Sequence, residues 1–131
     1  MHPIYLCKAL INQLYNRKKK SAIVITSSTS SIIPLPGLVT YTCTKTFVSF
    51  LAQGLFLEMG DKVDVLDWKP CLVNTKLLKT EAQREDAVTA KDAVGSIWKD
   101  LGVEMYSYGV PKHERIGTKR AMLPNFTQRQ F

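Results

Sequence analysis

An α/β fold built on a short parallel sheet is predicted from three observations. Apolar residues recur at helical spacing in three stretches, short strand-like runs lie between them, the first of them (Ser21 to Thr26) β-branched without polar alternation, and the two kinds of segment alternate along the chain. About three strands with flanking helices are expected. The 131 residues are of single-domain size, and the 45% hydrophobic content is that of a globular protein. No apolar run approaches the roughly 20 residues needed to cross a bilayer.

The first helix is expected from about His2 to Asn16. Pro3 suits a first turn, and Ile4, Leu6, Cys7, Leu10, Ile11 and Leu14 form its apolar stripe. "SAIVIT", Ser21 to Thr26, reads as a strand covered on both faces. From about Thr40 to Met59 a second helix is expected, with Phe47, Phe50, Leu51, Leu55 and Met59 facing inward and Gly60-Asp61 closing it. "KVDVLDWKP" is a second strand that Pro70 terminates. "TKLLKTEAQRED" is a polar, mobile connection with a short helix at its front. Thr89 with Asp92 resembles a capping box, and Ala93, Val94, Ile97, Trp98 and Leu101 supply a helical face before Gly102. "VEMYSYG" is a third strand, followed by at most one short helix and a basic end.

The formal net charge of +7 is concentrated in Arg17 to Lys20, read as a solvated helix end, and in the C-terminal tail. Aromatic and basic residues do not interleave as in RNA-binding segments, so no nucleic-acid partner is expected. Cys7, Cys43 and Cys71 are an odd number without a CxxC pair, as for reduced, half-buried cysteines of an intracellular protein. Asp61, Asp64 and Asp67 alternate along a strand and its approach, and no metal site is expected. His2 and His113 read as hydrogen-bonded or surface residues, and Trp68 and Trp98 as core or half-buried packing. The N-terminal stretch has the reverse of a secretory signal's charge order and is read as mature protein.

Between Ser27 and Lys45 the residues carry chemistry. Tyr41 and Lys45 are four apart on an expected helix and therefore share a face. An ammonium there favours the ionised phenol, which makes Tyr41 a usable proton donor and acceptor. Ser28 lies thirteen residues before Tyr41, at the end of an expected strand, where ligands sit in α/β sheets.

Taken together, "IVITSS", "YTCTKTF" and "KPCLVNTKL" resemble the short-chain dehydrogenase/reductase family. "ITSSTSSIIPLPGLVTYTCTKTFVSFLAQGL" and "DLGVEMYSYGVPKHE" are similar to its branch of long-chain 3-oxoacyl-CoA reductases and 17-beta-hydroxysteroid dehydrogenases. The resemblance covers roughly residues 4 to 115 and implies a Rossmann-like, doubly wound parallel sheet of which this chain is the C-terminal half. It implies that Ser28 hydrogen-bonds a substrate carbonyl, that Tyr41 protonates the developing alkoxide, and that Lys45 supports Tyr41 and holds the nicotinamide ribose. Pro70, Val73 and Thr75 would contact the nicotinamide end of NADPH or NADH. The implied substrate is a lipid-like ketone, a long-chain 3-oxoacyl-CoA or a 17-oxosteroid, selected by a lid from Leu77 to Val88. Association with the endoplasmic reticulum membrane is implied as well, with a cytoplasmic location as the alternative.

The sequence departs from the family pattern in two places. His2 stands where the resemblance puts an asparagine that holds a relay water. The first strands and the Gly-rich turn that cradles the cofactor phosphates are absent from this sequence. The expectation is a partial domain over 1–122 with a basic, flexible tail over 123–131, binding NADPH weakly or not at all by itself. The missing half would come from the same gene, from another chain or from self-association. The alternative is a non-catalytic interaction subunit that docks through the open edge of its sheet.

Overall fold

A computed structural model describes residues 2–78, 80–81 and 87–123. Helix α1 (His2–Tyr15) leads into strand β1 (Ser21–Thr26), and a 3₁₀ turn (Thr29–Ser31) precedes α2 (Val39–Met59) and β2 (Val63–Trp68). Two short strands, β3 (Val73–Asn74) and β4 (Val88–Thr89), then α3 (Ala90–Ile97), β5 (Tyr106–Ser107) and α4 (Pro111–Met122) complete the order. The main sheet is wholly parallel in the order β1-β2-β5, with Ser21 opposite Val63 and Asp67 opposite Tyr106. The expected α/β class and three-strand sheet are therefore present.

The core lies between this sheet and α1 and α2. Val48, Ala52, Leu55 and Met59 of α2 pack on Ile25, Val63 and Val65, with Cys7, Ile11 and Leu14 of α1 at the margin. Ala52 is fully buried, and its small side chain lets the helix come close to the sheet. This corrects the expected inward stripe. Phe47 and Phe50 face outward, Phe50 with 77% of its surface exposed. The helix carries two apolar stripes, one on each side, and periodicity cannot rank them. Leu6 and Leu10 of α1 are exposed for the same reason.

Strand β1 also departs from expectation, being covered on one face only. Ser21 and Ile25 are buried while Ala22, Val24 and Thr26 are exposed. No helix lies over that second face among the described residues. Strand β2 is covered on both faces, as its run of apolar residues requires. Its Asp64 pairs with Lys20 at 2.6 Å, so the basic run after α1 is not wholly solvated.

Other expectations shift in detail. Val73–Asn74 and Val88–Thr89 pair in parallel as a second small sheet where only connection was expected. Residues 75 to 78 form a turn, closed by Leu78 N–H on Thr75 O at 3.1 Å, rather than a short helix. The rest of the expected mobile connection lies largely outside the described residues, as does nearly all of the expected tail. Thr89 caps α3, its hydroxyl accepting from Asp92 N–H at 3.1 Å and donating to Asp92 Oδ2 at 2.7 Å. Trp98 is 63% exposed, against the expectation of packing. The third strand shortens to two residues, and α4 extends over twelve with the ring of Tyr108 filling the space above Gly117.

Candidate active site

The C-terminal end of β1 delivers five consecutive hydroxyl residues, Ser27 to Ser31, into one tight turn, and the turn separates their roles. Ser27 is buried, and its Oγ donates to Asp67 Oδ1. Ser28 Oγ accepts from Ser30 N–H at 3.1 Å, capping the 3₁₀ turn, and its own hydrogen has no acceptor among the described residues. Ser31 Oγ donates to Ser28 O at 2.7 Å. The hydroxyl of Ser28 is thus positioned through its lone pair and remains free to donate.

From this turn the chain runs through Pro34 and Pro36 to Gly37, whose φ of 76° lies in the region that favours glycine. Leu38 N–H closes the loop on Leu35 O at 3.1 Å, and α2 begins at Val39. Tyr41 and Lys45 then lie one turn apart. Lys45 Nζ donates to Thr26 O at 3.1 Å, tying α2 to the end of β1, and stands 5.8 Å from the centroid of the Tyr41 ring. Tyr41 is 45% exposed. Thr46 Oγ1 donates to Ser31 O at 3.0 Å, so a second bond fixes the helix against the serine turn.

Lys45 lines a groove of about 400 Å³ along the open side of β1, together with His2, Cys7, Val24 and Thr26. Burial pushes the Cys7 thiol up from its ordinary value. Tyr41 opens onto a separate surface depression with Gly37 and Leu38. Pro70 joins the site through its carbonyl, which accepts from Thr29 N–H at 3.0 Å. Val73 lies in β3 and is half-buried, while Thr75 is exposed. No hydrogen bond links Val73 or Thr75 to Tyr41 or Lys45 among the described residues. Of the three cysteines, Cys7 and Cys71 are half-buried as expected and Cys43, between Tyr41 and Lys45, is exposed.

Beneath the serine turn lies a polar network that periodicity did not reveal. Asp67 is fully buried and accepts from Ser27 Oγ, from Ser49 Oγ at 2.6 Å, from Gln53 Nε2 at 3.0 Å and from Lys69 Nζ at 3.0 Å. Lys69 Nζ also donates to Ser49 Oγ at 2.8 Å and stands 5.1 Å from the Tyr106 ring centroid. Every group in it is paired, the condition under which a buried carboxylate and ammonium persist. The available signal was a carboxylate, Asp67, directly after the apolar Val65 and Leu66 of β2. His113 is buried, and its Nε2 lies 3.1 Å from Leu72 O, so α4 supports the loop that follows β2.

Comparison with known proteins places this geometry. Residues 2–86 match the short chain dehydrogenase family. Over 110 residues the chain is 36% identical to a very-long-chain 3-oxoacyl-CoA reductase of Bos taurus and 34% identical to that of Homo sapiens. Those alignments cover 83% of this chain and 35% of each relative, so the chain spans about a third of their length. A structure of a 7beta-hydroxysteroid dehydrogenase superposes with a TM-score of 0.78 at 18% identity, over 97% of this chain and 53% of that one. A bulky-bulky ketone specific alcohol dehydrogenase from Comamonas testosteroni gives 0.66 at 23% identity, over 94% and 51%. The likeness to these structures fixes the fold as a partial Rossmann-type sheet. With the matched residues running through the Ser28 turn and the Tyr41 helix, the chain belongs to the short-chain dehydrogenase family.

Proposed function

We propose that this chain is the substrate side of an NAD(P)(H)-dependent ketone reductase and that it does not turn over by itself. The observation that carries the reading is the Lys45 ammonium, held to the end of β1 by Thr26 O beside the Tyr41 ring, with the uncommitted Ser28 hydroxyl on the same strand end. In the proposed reaction Ser28 donates to the carbonyl oxygen and Tyr41 passes its proton to the developing alkoxide. Lys45 stabilises the phenolate that remains.

The nicotinamide cofactor supplies hydride when bound. The donor set suits its ribose and nicotinamide end: Lys45 Nζ, the Tyr41 hydroxyl, and the Pro70, Val73 and Thr75 loop tied to the serine turn by Thr29 N–H. A Gly-rich strand-to-helix turn of the kind that holds a pyrophosphate does not occur among these 131 residues. NADPH and NADH both remain within the proposal. The substrate proposed is a lipid-like ketone, a long-chain 3-oxoacyl-CoA as the named relatives suggest, or a 17-oxosteroid as the sequence resemblance implies. No helix among the described residues is long and apolar enough to cross a membrane, so attachment to the endoplasmic reticulum enters the proposal through the resemblance alone.

A second reading is favoured by β1, which pairs on one edge only and exposes Val24. Such an edge is a docking surface for another strand, and a non-catalytic subunit would use it. One experiment separates the two readings. The chain is assayed for NADPH oxidation with a 3-oxoacyl thioester, alone and fused in frame to a Gly-rich βαβ half from a relative. Turnover is expected from the fusion only, reduced at least a hundredfold by Tyr41→Phe. An inactive but folded fusion, or activity indifferent to Tyr41→Phe, overturns the reductase reading.

A further inference from the structure

Arg120 lies in the last turn of α4, on the side of the helix that carries the buried His113 and Gly117. Its guanidinium reaches back to the turn after β1. One amine, Nη1, donates to Thr29 Oγ1 at 2.8 Å and to Ser30 Oγ at 3.3 Å. Thr29 is itself buried and its backbone N–H is bonded to Pro70 O, so the residue that fastens the arginine is anchored to the loop after β2. Nη2 and Nε have no hydrogen-bond acceptor among the described residues, and the residue as a whole is half-buried. No carboxylate lies within ion-pair distance of the guanidinium among those residues.

A half-buried guanidinium held by one amine, with the rest of its fork open, suits an anion whose two oxygens match parallel N–H donors. The negative end of α4 favours a cation at this turn but occupies none of its donors. The position is also specific. Ser30 N–H donates to Ser28 Oγ, so Arg120 stands within about 10 Å of that hydroxyl, two hydrogen bonds and one residue away.

We infer that Arg120, with Ser30, forms an anion subsite, and that the ketone taken by Ser28 and Tyr41 carries a carboxylate or phosphate within about 10 Å of its carbonyl. The identity of the carbonyl rests on the reductase reading; the anion site does not. An acyl-CoA would place its phosphates there only with its carrier arm folded back, whereas a keto acid reaches it directly. An unconjugated 17-oxosteroid has no group for it, so the subsite argues against the steroid among the two proposed substrates.

The test uses the full chain, isotopically labelled, titrated with inorganic phosphate, with a long-chain 5-oxo carboxylate and with the methyl ester of that acid. Saturable shifts are expected at the Thr29 and Ser30 amides and at Arg120 Nε–H with phosphate and with the acid, and none there with the ester. Arg120→Gln is expected to weaken both anions about tenfold or more, and Arg120→Lys to retain part of the affinity. A response to phosphate but not to the keto acid reassigns the group from a carboxylate to a phosphate ester. No saturable shift at these residues, or a shift that survives Arg120→Gln, overturns the subsite. Tyr41→Phe separates the two proposals, since it removes turnover in the fusion while leaving the anion shifts in place.

Discussion

Ser27 and Ser28 are neighbours in sequence and differ entirely in what they can do. Ser27 gives its hydrogen to Asp67 inside the protein, while Ser28 uses only a lone pair on Ser30 N–H. The same distinction separates Asp67 from Asp64, one buried among four donors and the other paired with Lys20 at the surface. The buried network also yields a stability prediction. Asp67→Ala leaves Lys69 charged and unpaired in the interior and is expected to cost about 3–5 kcal/mol in urea unfolding. Replacing the pair together, Asp67→Leu with Lys69→Met, is expected to recover most of that loss. A cost below about 1 kcal/mol for the single change would mean that the network is open to water.

At the scale of elements, the backbone explains where the chain tolerates change. Gly109 follows β5 with a φ of 79°, and a Cβ there would lie 2.7 Å from Ser96 Oγ and 3.2 Å from Trp68 Nε1. Gly54 and Gly95 sit within α2 and α3, and a Cβ at either would meet nothing within 4 Å. Alanine is therefore expected to destabilise at Gly109 by about 1–3 kcal/mol and to stabilise at Gly54 or Gly95 by roughly 0.5–1 kcal/mol. Melting temperatures shifted in the same direction at all three would contradict this account. The helix stripes show where sequence pattern stops being informative. Phe47 and Phe50 are as apolar as Val48 and Leu55, and only the close approach at Ala52 selects the second set for the core.

At the scale of the whole molecule, pH reports on how the parts are assembled. Burial raises the Cys7 thiol, and burial, followed by Tyr106, Asp67 and Glu114, raises the Tyr108 phenol. Both groups stay protonated in the fold after the unfolded chain has lost those protons. The unfolded state then binds fewer protons, so stability falls as pH rises above the ordinary values of about 9 for the thiol and about 10 for the phenol. Urea unfolding at pH 8 and pH 10.5 is expected to show this loss, with a shallower slope in Cys7→Ala and Tyr108→Phe. An unchanged slope in both variants would remove these groups as its cause.

The sequence by itself determined the α/β class, the order of the long elements, the cap at Thr89 and the family, because each is local or rests on motifs of fixed spacing. It placed Ser28, Tyr41 and Lys45 on a strand end and one helix face for the same reason. The tertiary structure decided the rest. Which α2 stripe is buried, the pairing of β3 with β4, the enclosure of Asp67 with Lys69, and the reach of Arg120 to Thr29 all join residues distant in the chain. Ninety-one positions separate Arg120 from Thr29, and no periodicity spans such an interval. Only packing, which sets distances irrespective of chain order, brings them together.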